Sequence, residues 1–102
     1  MVEPETPQTL ALFAPHLNEL FRVRVGDETV YPLTLVEVSP LRPAGHRDLR
    51  RDPFELRFHG PGPQHLVQRI HRLENDALGA LEIFLVPIGR AGDGFVYQAI
   101  FN

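Results

Sequence analysis

The sequence predicts an all-β fold: about six antiparallel strands forming a small sandwich or barrel, with a short helical segment at the N-terminus. Three observations predict it. Several segments alternate apolar and polar residues with period two, the pattern of a half-buried strand. Clusters of Gly, Pro, Asn and Asp separate those segments at the spacing expected of turns. Leu, Ile, Val and Phe make up a third of the 102 residues, too apolar for a disordered chain. A chain of this length is one domain, read as a flexible leader over 1–8 and a single β-rich domain over 9–102.

The leader, Met1 to Gln8, is acidic, and Pro4 and Pro7 block helix formation. In Thr9 to Phe21, Leu10, Phe13, Leu17 and Leu20 fall on one helical face. Thr9 can cap the first turn. Pro15 forbids one continuous helix but suits the start of a second turn, so two short turns should cover one end of the core. Phe21 to Val25 alternates strictly, with Arg22 and Arg24 between apolar residues, and Gly26-Asp27-Glu28 follows as a turn.

Thr29 to Val38 reads as a long second strand. Tyr31, Leu33 and Leu35 share one face, and the apolar parity then flips to Val36 and Val38, which requires a bulge or bend after Leu35. Pro32 has no N–H to give a ladder, so it belongs at an edge or near the start of its strand. Ser39 to Asp52 is a long loop rich in Pro and Arg. Phe54 to Phe58 alternates again and is broken by His59-Gly60-Pro61-Gly62-Pro63. Leu66 to Leu73 fits a strand or a helix, and its bounding turns favour the strand. Glu74 to Gly79 reads as a turn. Leu81 to Ile88 is almost wholly apolar, as in a central strand, and a Gly-rich loop over 89–94 joins it to the alternating Phe95 to Phe101. The expected core is Phe13, Leu17, Phe21, Val23, Leu33, Leu35, Leu56, Phe58, Ile83, Leu85, Tyr97, Ala99 and Phe101.

Composition removes several chemistries. There is no Cys, hence no disulfide, thiolate metal site or Cys nucleophile. All ten basic residues are Arg, so no lysine is present for a phosphate loop or a side-chain Schiff base. A net charge of −3 argues against general nucleic-acid binding. No run of 18 apolar residues exists to span a membrane as a helix, and the N-terminus lacks the features of a signal peptide, so a cytoplasmic location is expected.

The motifs resemble a family of short bacterial proteins of unknown function. The shared pattern runs through Phe54-Glu55-Leu56-Arg57-Phe58-His59-Gly60-Pro61 and Leu66-Val67-Gln68, then an acidic turn and Gly79. It ends on Phe84-Leu85-Val86-Pro87-Ile88-Gly89 and Tyr97-Gln98-Ala99-Ile100-Phe101-Asn102. The chain departs from it at Arg69, where a glycine is expected. The resemblance implies no activity and no cofactor. It implies a structural or accessory role in a phage-tail-like or fibre assembly.

Four constellations compete with plainer readings. The only serine, Ser39, precedes Pro40 and lacks the glycines of a nucleophile elbow, so it reads as a turn former. His59, His65 and His71 recur every six residues and, with Glu82, could line a ligand or metal pocket, though no established ligand spacing is present. Surface or hydrogen-bonded histidine is the plainer reading. Glu37, Glu55 and Glu82 lie mid-strand, where ion pairing on the outer face with Arg22, Arg24 and Arg57 explains them without acid–base chemistry. Arg42, Arg47, Arg50 and Arg51 crowd the long loop and are candidates for binding a partner's carboxylates, against the plainer reading of a solvated loop.

The sequence also carries more apolar surface than one face of a small sheet can bury. Residues 81–88 are apolar on both faces. Closure into a barrel or association with another chain would account for it. The expected function is therefore a non-enzymatic interaction or structural module acting through a sheet edge or the Arg loop, with a protein partner or self-association and no cofactor. The alternative is a small-ligand or metal-binding domain, or a hydrolytic enzyme, with a pocket near His59, His65, His71 and Glu82.

Overall fold

A computed structural model of the chain describes residues 8–26, 29–41, 53–62 and 66–101. The N-terminal segment forms two short turns, as expected. Helix α1 (Leu10–Phe13) begins at Thr9, whose hydroxyl accepts from the Leu12 N–H at 3.2 Å. A 3₁₀ turn over Ala14–His16 follows, with Pro15 in its first positions. The strands are β1 (Leu20–Val25), β2 (Thr29–Pro40), β3 (Phe54–Pro61), β4 (Arg69–Asn75), β5 (Gly79–Ala91) and β6 (Gly94–Phe101). All neighbours are antiparallel and the sheet closes in the order β1-β2-β3-β6-β5-β4.

Two long strands explain why the sequence fits both a sandwich and a barrel. The N-terminal half of β2 pairs with β1 over Thr29–Thr34, and its C-terminal half pairs with β3 over Thr34–Pro40. Likewise β5 pairs with β4 over Gly79–Leu85 and with β6 from Val86 onward. Each long strand thus changes its partner part-way along within the one closed sheet. The register of β2 shifts between Leu35 and Glu37, where the parity flip demands it, and that of β5 shifts between Pro87 and Gly89. Bulges of this kind let a strand turn a barrel corner. Pro32 lies opposite Arg22 of β1, before the β2–β3 ladder begins at Thr34, so its missing N–H removes nothing from that second ladder.

The interior is filled by alternate residues of every strand. Twelve of the thirteen expected core residues are buried, and Phe54, Leu66 and Leu73 join them. Phe54 and Phe101 stack at 4.6 Å between centroids, and Phe13 of α1 leans on both, so α1 closes that end of the barrel. Leu17 is the exception, 43% exposed. The 3₁₀ turn advances each residue by more than an α-helix does, which carries Leu17 off the face begun by Leu10 and Phe13. Asn18 then takes a left-handed backbone conformation, φ 72°, and redirects the chain into β1.

At the opposite end, two tyrosines close the barrel. The Tyr97 hydroxyl accepts from the Leu66 N–H at 2.9 Å, and the Tyr31 hydroxyl donates to the Pro61 carbonyl. The two rings meet edge-on and their hydroxyls hydrogen-bond. Glycine is required where β3 meets β6 nearby: a Cβ on Gly94 would collide with the Gly60 carbonyl.

Strand limits differ from the expected ones in three places. β3 continues through His59-Gly60-Pro61 because β6 pairs with it as far as Gly94. β4 extends to Asn75, and only Asp76 to Leu78 form the turn. β5 and β6 run on until Gly92 and Asp93, so the expected loop over 89–94 is mostly hairpin. Residues 66–73 resolve as an irregular arm, Leu66 to Gln68, leading into a strand.

Candidate functional site

Strand parity separates the expected ligand residues. In β3, Phe54, Leu56 and Phe58 face inward, so His59 faces outward. Its Nε2 lies 3.0 Å from the Ala91 carbonyl. In β4 the inward residues are His71, Leu73 and Asn75. His71 Nε2 lies 2.8 Å from the Val67 carbonyl. A carbonyl only accepts, so Nε2 carries the proton in both rings. Glu82 is on the outer face of β5, opposite Arg72 in register. His71 and Glu82 border one cleft, and His59 does not. His65 lies outside the described residues, as do Arg42, Arg47, Arg50, Arg51 and the leader through Pro7. Among the described residues no three His, Asp or Glu side chains converge to hold a metal ion.

The outer face carries ion pairs, as the strand parity of Arg22, Arg24 and Arg57 suggests. Arg57 contacts Glu55 at 3.1 Å and Glu37 at 3.8 Å. Glu55 also accepts from the Gln98 amide at 2.8 Å; with Arg57, that amide holds its carboxyl below the usual range. Arg22 and Arg24 bond instead to Asp76 and Glu74, at 2.9 and 3.1 Å, across the β1–β4 seam. The Arg24 hydrogen bond lowers the Glu74 carboxyl. Ser39 donates to Glu37 at 2.6 Å, a local bond within one strand.

The cleft that holds His71 and Glu82 opens at the same seam. β1 and β4 pair at only two positions, Arg22↔Glu74 and Val23↔Leu73. Both strands run on beyond that ladder, β1 through Arg24 and Val25, β4 back through Arg72 to Arg69. They part there and leave an open cleft of about 420 Å³, within the size range of ligand sites. Its rim carries Arg24, Arg69, Arg72 and Glu82; its apolar wall is Val25, Leu66, Val67 and Ile70. The His71–Val67 bond folds the Leu66–Gln68 arm beneath it. Sequence patterning gave no sign of this opening, because a ladder's length depends on strand tilt rather than on alternation.

Residues 8–101 match the model of a domain of unknown function, DUF6916. The chain belongs to that family. The match covers both corners, both tyrosines and the seam. No characterised protein and no solved structure matches the chain. Among the described residues no helix is long and apolar enough to cross a membrane.

Proposed function

We propose that the domain is a non-enzymatic interaction module that binds protein chains, a second copy of itself first among them. One observation carries this. Ile70 and Phe84 stand opposite each other on the outer face of β4 and β5, 60% and 48% exposed, and Ile100 of β6 is exposed as well. Closure of the sheet explains the inward apolar residues and leaves these without a role in the fold. Exposed apolar side chains grouped on one face are the usual mark of a protein contact. Closure also removes free outer strands, so the sheet-edge version narrows to where a ladder stops short, the two-pair β1–β4 seam above all. A role in a phage-tail-like or fibre assembly, which the family resemblance implies, fits a module of this kind.

Size-exclusion chromatography with light scattering tests the proposal. Concentration-dependent association, abolished by Phe84→Asp, is expected. A clean monomer at the highest attainable concentration would remove self-association. The small-ligand alternative is supported by His71 and Glu82 sharing the seam cleft, and native mass spectrometry with a metal assay tests it; a bare chain with no thermal shift across a ligand library would remove it.

A further inference from the structure

We infer that the β1–β4 seam is a docking site for an extended peptide strand, acidic at alternate positions, contributed by another protein. The inference rests on the interaction-module proposal and specifies a partner for it.

The backbone comes first. Past Val23↔Leu73 the ladder ends, yet four residues of β4, Arg69 to Arg72, continue in strand conformation with β5 on one side only. Arg24 and Val25 likewise pair with β2 alone. A strand flanked on one side presents unpaired N–H and C=O groups to the other, the template on which an extended peptide adds. Everywhere else in the described sheet, both sides of the barrel's staves are joined by longer ladders. At the seam the facing strand edges have a cleft between them.

The side chains select the peptide. On the rim, Arg24, Arg69 and Arg72 outnumber Glu82. Glu74, behind the rim, lies 3.1 Å from Arg24 and 3.6 Å from Arg72, which draws those two guanidinium groups together. Among the described residues Arg69 has no acidic partner, so one positive charge at the rim remains uncompensated even after Glu74 is counted. A carboxylate on the incoming strand would be received by planar guanidinium groups suited to it. Alternate residues of that strand would point toward Val25 and Leu66, where apolar groups fit. Nucleic acid fits less well: no Phe, Tyr or Trp borders the cleft for base stacking.

The test uses the full chain, isotope-labelled, and a synthetic peptide, acetyl-Thr-Val-Glu-Val-Glu-Val-Thr-amide, followed by amide NMR. Saturable shifts at Arg24 to Gly26 and Arg69 to Arg72 are expected. The same peptide with Arg in place of Glu should fail to bind. N-methylation of alternate backbone nitrogens should abolish binding in at least one phase, because it removes ladder donors and leaves the side chains. Arg69→Glu with Arg72→Glu should weaken binding at least tenfold without lowering the melting temperature. Four results overturn the inference: no shifts at the seam, undiminished binding by both N-methylated forms, displacement of the peptide by oligothymidylate, or the same shifts produced by raising protein concentration alone. Failure of the peptide while Phe84→Asp still abolishes self-association removes the seam inference and leaves the interaction module standing. Failure of both removes both.

Discussion

Replacing Tyr97 by Phe deletes one oxygen from the centre of the barrel's closed end and changes nothing else in the chain. That oxygen receives the Leu66 N–H at 2.9 Å, and Leu66 is only 5% exposed, so no bulk water replaces it. The Tyr97 hydroxyl also hydrogen-bonds with that of Tyr31, and the Tyr31 hydroxyl donates to the Pro61 carbonyl. Burial, with the Tyr97 hydrogen bond second, pushes the Tyr31 phenol well above its usual range, as expected of a hydroxyl held as a donor. The variant therefore orphans a buried backbone donor, at a cost of about 1–3 kcal/mol. For a domain of this size about 2 kcal/mol lowers the melting temperature by roughly 8–16 °C. Urea unfolding of Tyr97→Phe, Tyr31→Phe and the double variant measures it. The double variant should cost less than the sum of the two, because either single change already breaks the relay from Leu66 to Pro61. Hydrogen exchange at the Leu66 amide should accelerate in Tyr97→Phe, by more than the loss of global stability alone gives to other amides. A loss below about 0.5 kcal/mol, the size of an ordinary surface change, would refute this account of how the end is closed.

Three further outcomes follow from the packing and the charges. Phe13→Ala should cost about 3–5 kcal/mol in urea unfolding, since Phe13 is fully buried against Phe54 and Phe101, while Leu17→Ser on the same segment should stay within about 0.5 kcal/mol. Gly94→Ala should destabilise by at least about 1–3 kcal/mol, because its new methyl meets the Gly60 carbonyl, a backbone atom that cannot swing aside. Glu55 is held below the usual carboxylate range in the folded chain, first by Gln98 and then by Arg57, so its stabilisation is complete above the unfolded value of about 4.3 and is lost as pH falls through the folded one. Glu55→Gln should therefore lower the urea midpoint near neutral pH and hardly at all in strong acid; an equal loss at both ends would sink that linkage.

Legibility in the sequence tracked how strongly the inside of each strand contrasts with its outside. In β1 and β3 every inward residue is apolar and Arg or Glu alternates with it, so both strands and their faces can be read directly. The corner in β2 is legible for the same reason: the apolar parity changes after Leu35, Val38 lies opposite the inward Leu56, and Val36, at the shift itself, is the exposed extra residue. The corner in β5 is hidden, because Val86, Pro87 and Ile88 are apolar on both faces and a shift of register there changes nothing in the pattern. Phe54 was missed as core only because it stands at the first position of its strand.

β4 is the instructive case, because its pattern is inverted. Two of its three inward residues are polar, His71 and Asn75, and the apolar Ile70 is 60% exposed. Asn75 tolerates burial because its side chain makes four hydrogen bonds: its amide donates to the Leu20 carbonyl and Glu19, and its oxygen accepts from Ala77 and Leu78. His71 tolerates it because it holds the Val67 carbonyl. Each polar group inside is accounted for by a neighbour, so the inversion costs the fold little. Ile70 outside has no such account within the described fold, and it lies both on the apolar outer face and on the wall of the seam. A strand that breaks the inside–outside rule, borders the shortest ladder and places its apolar residue in the gap is what the proposed interaction role calls for. Where local pattern and global fold disagree without a packing reason, a binding requirement is the physical alternative.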